Sequence, residues 1–154
     1  MINQLFPKKL DNNYQGHAIA KWIFYLITML SIVRSLIHMF APDSGAQSIA
    51  TIPLDTFTTN GAASVVLMLA LWGSAQFLMA LVYLIVIWRY RAFIPTMYLL
   101  LFIEYSLRIF LMHIKPIEIT GTAPGHILDY VMVPLSLSLF YFSLHVPKRN
   151  PSRG

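Results

Sequence analysis

The chain has 154 residues, of which 57% are hydrophobic and 11% charged, with a mean hydropathy of +0.64, whereas soluble domains average about 45–50% apolar and about 25% charged. This excludes an ordinary soluble domain, and an aromatic content of 14% excludes a disordered segment. The formal charge of +5 leaves a nucleic acid or a membrane surface open until the basic residues are located, while the lack of cysteine removes disulfides, thiolate metal ligands and cysteine nucleophiles.

In chain order, residues 1–16 are polar and the first apolar run is followed by no small-residue cleavage pattern, so no cleavable signal peptide is expected and the first span stays in the mature protein. The first span is read at 19–40, apolar throughout its outer part except for Arg34 and His38. Residues 62–88 carry no charge over about 27 positions, against the roughly 20 that a helix needs to cross the hydrocarbon core. A third span is read at 92–114, interrupted by Glu104, Arg108 and His113, and a fourth at 126–146. Each intramembrane charge costs about 2.5–3.5 kcal/mol on insertion scales, and the surrounding Leu, Ile, Phe and Val return about 0.3–0.6 kcal/mol each, which roughly offsets it. A soluble bundle is disfavoured, because four helices apolar on all sides leave no polar face for water. The expected fold is an all-α integral membrane protein, a single domain of four transmembrane helices in an antiparallel bundle, with outer loops at 41–61 and 115–125.

The placement of Lys and Arg predicts the orientation. Lys8, Lys9, Lys21, Arg89, Arg91, Lys148, Arg149 and Arg153, eight of the eleven basic residues, fall on one side, whereas loop 41–61 has none and loop 115–125 has only Lys115, balanced by Glu118. The positive-inside rule then puts both termini in the cytoplasm, and Trp22, Tyr25, Trp88 and Tyr90 fit the inner interfacial belt. Most of the net charge is thereby membrane orientation, and no nucleic-acid partner is expected. The expected location is a bacterial inner (plasma) membrane.

Local signals refine this picture. Pro95 falls in the first turn of span three, where its missing N–H costs little. Pro134 lies inside span four and is expected to free the carbonyl of Tyr130, with Ser136 or Ser138 as the substitute donor. Ala70, Gly73 and Ser74 in span two permit close helix contact. Spans one and three both place Pro eight residues after an intramembrane Arg (Arg34 and Pro42, Arg108 and Pro116) with a His between, an echo that either repeated hairpins or shared helix-end signals produce. Loop 42–61 is read as a connector, with a lid over the bundle as the alternative.

The ionisable residues within the spans gather in one layer. At 1.5 Å per residue, Arg34 lies roughly 9 Å below the outer end of span one, Arg108 lies at a similar depth, and Glu104 about one turn deeper. His38, His113, His126 and Asp129 fall within about two turns of the same boundary. Groups at such depth pair or face a hydrated cavity. Glu104 and Arg108, spaced i,i+4, are expected to pair, which leaves Asp129 as the partner for Arg34. The candidate ligand-binding set is Arg34, His38, Gln76, Glu104, Arg108 and Asp129, with Gln76 and Trp72 at the floor of the pocket; a salt-bridge network that only fixes packing would use the same charges.

Metal ligation is a weak alternative through His38, His113, His126 and Asp129, and haem between facing histidines is another. No HExxH, GxSxG or phosphate-cradling glycine loop occurs. No catalytic residue is assigned, and the sequence requires no cofactor, with quinone, haem and metal left open. The expected role is a non-catalytic structural, accessory or assembly subunit of a larger membrane complex, or a homo-oligomer, with a charged pocket in the outer half of the bundle. The alternatives are a lipid-, quinone- or anion-binding or transport protein using Arg34 and Arg108, and a haem- or metal-dependent redox enzyme.

Overall fold

The structure is a computed structural model that describes Leu5, Pro7, Lys9 and residues 11–145. Lys8, Lys148, Arg149 and Arg153, which enter the orientation argument, and Val146 at the end of the fourth expected span lie outside the described residues. Four helices are long and apolar enough to cross a membrane: α1 (Ala18–Phe40), α2 (Thr59–Arg89), α3 (Ile94–Ile114) and α4 (Pro124–Leu144). No strand occurs among the described residues.

Local chemistry sets the helix ends. Thr58 caps α2, its hydroxyl accepting from the Gly61 amide at 3.2 Å, so that the helix starts at the polar Thr59 rather than at the first apolar residue. A single 3-10 turn, Arg91–Phe93, absorbs the reversal between α2 and α3. Pro95 and Pro124 sit in the first turns of α3 and α4, where the helix has no N–H to lose. Within the spans, Thr28, Ser31 and Ser35 donate back to the carbonyls of Phe24, Ile27 and Ile32, which removes lone hydroxyls from an apolar setting. Helix α4 continues through Pro134, but neither expected serine serves Tyr130: Ser136 donates to Val133 and Ser138 to Pro134 itself. The hydroxyls reach only the carbonyls three or four residues before them, and Tyr130 lies further back.

The helices associate as two hairpins, α1 against α2 and α3 against α4, with far less contact between the hairpins. Of the expected small residues, Gly73 makes a close approach in the first hairpin: a Cβ there would lie 2.6 Å from the His38 Cβ and 3.1 Å from the His38 carbonyl carbon. Two sets of backbone bonds join the hairpins at their ends. At one end, here the turn end, Ala92 donates to Asp11 and His17 to Phe142. At the other, the loop end, the Thr120 amide donates to the Thr51 carbonyl at 3.0 Å, and Thr51 Oγ1 donates to Gly121. Thr51 has φ 57°, a left-handed conformation unusual for a β-branched residue, and this clamp holds it there.

The buried core lies toward the turn end, where Phe24 contacts both Tyr83 and Tyr98 edge-on at centroid separations of 5.4 and 5.6 Å. The Tyr98 hydroxyl crosses from α3 to donate to the Ala20 carbonyl of α1 at 2.6 Å. Outside this core the bundle surface is apolar: only 11% of the most apolar stretch of α2 is buried, and Trp22, Trp88, Leu67, Met68 and Phe110 are exposed. Lipid, not water, accommodates such a surface.

Candidate functional site

Between the hairpins, on the loop-end side of the aromatic core, the bundle forms a half-open cavity of about 210 Å³. Helix α1 contributes Ile27, Leu30, Ser31 and Arg34, which helical spacing puts on one face. Helix α2 contributes Trp72, Gln76, Met79 and Tyr83; α3 contributes Leu101, Glu104, Tyr105 and Arg108; α4 contributes Leu128 and Met132. The order is the same along α1, α2 and α3, while both α4 residues are apolar. The residues nearer the turn end (Ile27, Tyr83, Leu101, Met132) are apolar or aromatic, and those nearer the loop end (Arg34, Trp72, Gln76, Arg108) are polar or cation-binding. The cavity is thus a slot with an apolar floor and a charged rim.

Four of the six expected site residues, Arg34, Gln76, Glu104 and Arg108, line this slot. Their pairing differs from the expected one. Arg108 takes both acids: its Nη2 donates to Glu104 one turn earlier on α3, and its Nη1 lies 3.7 Å from Asp129 Oδ1 on α4. Asp129 is nearly buried and has no hydrogen-bond partner at Oδ1. Arg34 therefore does not pair with Asp129. Its Nε donates instead to Gln76 Oε1 at 3.3 Å, and among the described residues no carboxylate lies within 4 Å of it. Depth alone put Arg34 and Asp129 together, but Asp129 lies on the helix that packs along α3, so Arg108 reaches it first.

Trp72 is not the floor but part of the rim. The guanidinium carbons of Arg34 and Arg108 lie 5.5 and 4.9 Å from its ring centroid, both within cation–π range. Tyr105, which sequence reasoning passed over, holds Arg108 from another side at 4.9 Å; its place three residues before Arg108 on a helix was the available signal. The sixth expected residue, His38, stacks on Trp72 at 5.0 Å and bonds the Ser44 carbonyl through Nδ1 at 2.8 Å, so it links loop 41–58 to the rim without lining the slot. None of the residues 41–61 lines the cavity.

The proposed metal ligands do not converge. His113 Nδ1 bonds the Ile109 carbonyl on its own helix, His126 shares with it a separate surface groove beside Lys115 and Tyr130, and His38 lies in the first hairpin. Among the described residues, no three His, Asp or Glu side chains come close enough to hold a metal ion.

The chain matches no family model, no curated protein and no solved structure. The site must therefore be read from its own chemistry. It offers one cation with no carboxylate beside it among the described residues, one amide, and an apolar recess, next to an Arg108 that is paired with Glu104 and Asp129.

Proposed function

We propose that this small multi-pass membrane protein is a non-catalytic binding protein that takes the head of a membrane-soluble, amphipathic molecule between its two hairpins. One observation carries the reading: Arg34 stands on the rim of an apolar slot with no carboxylate beside it. An intramembrane cation is costly unless paired, and such residues mark ligand sites. The head would be an anion or a carbonyl of the kind found on lipids and quinones, oriented by Arg34 and Gln76, with Arg108 held back by Glu104 and Asp129. In this reading the bundle is antiparallel, the loop end faces outward and the termini face the cytoplasm of a bacterial inner membrane. Lys9, Lys21, Arg89 and Arg91 support that orientation. An accessory role beside other membrane subunits is compatible with it, whereas the haem and metal readings have less support, since among the described residues the histidines do not gather into a ligand set.

Purification in mild detergent, solvent extraction and mass spectrometry test this reading. An amphipathic molecule is expected to co-purify with the wild type and to be depleted from folded Arg34→Leu. Identical extracts from the two proteins overturn it.

A further inference from the structure

We infer that the slot selects a monoanionic, carboxylate-headed amphiphile. This rests on the reading of the cavity as a binding site, and three features of the rim narrow the ligand.

The first is donor geometry. Gln76 Nε2 is buried and has no hydrogen-bond partner. Its assignment as the nitrogen follows from chemistry, because the other amide atom accepts from Arg34, and a guanidinium can only donate. The bond that anchors the amide thus leaves its NH2 free, beside the remaining N–H groups of Arg34. Two adjacent sets of donors with no acceptor of their own fit a group that only accepts and has two oxygens. An ionised carboxylate is such a group. A hydroxyl or amide head would bring a donor of its own to a rim that already has an unmet one.

The second is charge. Glu104 and Asp129 are both engaged with Arg108, and among the described residues Arg34 has no carboxylate within 4 Å. Over the layer two arginines balance two acids, but both carboxylates stand on Arg108, so Arg34 is the cation without one in contact. A neutral carbonyl would satisfy Gln76 Nε2 but leave the Arg34 charge uncompensated in an apolar setting. A dianionic head would bring more negative charge than Arg34 balances, and would stand near the Glu104 carboxylate, which lines the same slot with its side chain 41% exposed.

The third is the floor. The path from Arg34 to Ile27 covers seven residues, roughly 10 Å at the helical rise, and ends among Ile27, Leu101 and Met132, with Tyr83 beside them. The volume of about 210 Å³ exceeds the roughly 150 Å³ that admits benzene. It takes the first part of an acyl chain or one ring, not an entire lipid.

The test uses the full chain in nanodiscs of zwitterionic lipid, with Trp22→Phe and Trp88→Phe so that Trp72 alone reports. Its emission is titrated with 2-bromododecanoic acid, with the methyl ester of that acid, and with a short-chain quinone as competitor. The acid is expected to quench saturably at concentrations roughly tenfold or more below the ester, the ratio that loss of a charge-assisted hydrogen bond produces. Arg34→Leu is expected to erase the difference, and Arg34→Lys to keep part of it. Equal saturation by acid and ester, or full displacement of the acid by equimolar quinone, overturns the carboxylate assignment and leaves the binding site standing. A preference for acid that survives in folded Arg34→Leu overturns the role of Arg34. Saturation by none of the three overturns the cavity reading as well. If Arg34→Leu does not fold, the acid–ester comparison on the Trp72-only protein and Arg34→Lys still decide the matter.

Discussion

Gly73 lies so close to His38 that a Cβ added to the glycine would stand 2.6 Å from the His38 Cβ. The nearest neighbours also include the His38 carbonyl carbon and the Met39 amide at 3.1 and 3.2 Å, so turning the His38 side chain cannot relieve the clash. Gly73→Ala would gain up to about 1 kcal/mol in helix propensity, but forcing extra volume into a packed contact costs about 1–3 kcal/mol. The second effect wins. Thermal or denaturant unfolding in detergent should show Gly73→Ala destabilised, with the hairpin displaced and the His38 stacking on Trp72 loosened. A variant as stable as the wild type would mean that α1 and α2 do not approach as described.

Arg34 and Arg108 share a depth but should respond differently to loss of charge. Arg108→Leu leaves the carboxylates of Glu104 and Asp129 without their cation. Breaking a buried pair costs about 3–5 kcal/mol, and the exposure of Glu104 puts the expected loss near the lower end of that range. Arg34→Leu strands no carboxylate and loses one long hydrogen bond to Gln76, worth about 1 kcal/mol. Reversible unfolding of both variants should therefore show a marked loss for Arg108→Leu and a small one for Arg34→Leu. Equal losses would mean that Arg34 has a carboxylate partner after all.

This asymmetry marks the limit of what the sequence makes legible. Length and charge-free composition place the four helices to within a few residues of their ends, because hydrophobic thickness sets a length that any apolar run must meet. The largest discrepancy is at α2, which begins at Thr59 because the Thr58 cap lets polar residues join the helix. The grouping of Arg34, Glu104 and Arg108 at one depth is also legible, since a constant rise per residue converts sequence offset into depth. Which partner each selects is not. That depends on the rotation of each helix about its axis and on which helices pack closely, neither of which depth contains. So Asp129 went to Arg108, and Gln76, a neutral residue in a different helix, to Arg34. Trp72 shows the same limit: its type and depth are plain, but its contact with two guanidinium groups needs three helices in place.

The cysteine-free sequence makes the proposed orientation directly testable. Gln47 is exposed in loop 41–58 and Asn12 is exposed near the turn end. Single Gln47→Cys and Asn12→Cys variants, treated in intact cells with a membrane-impermeant maleimide, should label at Gln47→Cys only, with Asn12→Cys labelling after the membrane is permeabilised. The expectation follows from Lys9, Lys21, Arg89 and Arg91 lying toward the Asn12 end, and from loop 41–58 having no Lys or Arg. The reverse pattern would invert the orientation, and labelling of both in intact cells would contradict a bundle that spans the bilayer between these two sites.

The fold of loop 41–58 should depend on pH through Asp43. Burial pushes this carboxyl up, but the amides of Ser48, Gly45 and Gln47, with the Ser48 hydroxyl, outweigh it and lower the pKa from 3.8 to about 2. The amide bonds are short, 2.7 to 3.0 Å, and wrap the carboxylate from residues two to five positions ahead. The Gly45 φ of 74° permits the turn that brings these amides round. A carboxyl whose pKa is lower in the folded loop than in the unfolded chain stabilises the loop fully above about pH 4, and that contribution is lost as pH falls through about 2. Because the Ser44 carbonyl in the same turn accepts from His38 Nδ1 at 2.8 Å, loosening the turn should also be felt at the Trp72 side of the rim. Amide NMR of Gly45, Gln47 and Ser48 between pH 5 and 2 should show the three signals moving together with a midpoint near pH 2, and Asp43→Asn should remove that transition while weakening the protection of these amides at neutral pH. A midpoint near 3.8 in the wild type would show that the amides do not hold the carboxylate, and the turn would then owe its shape to backbone geometry alone.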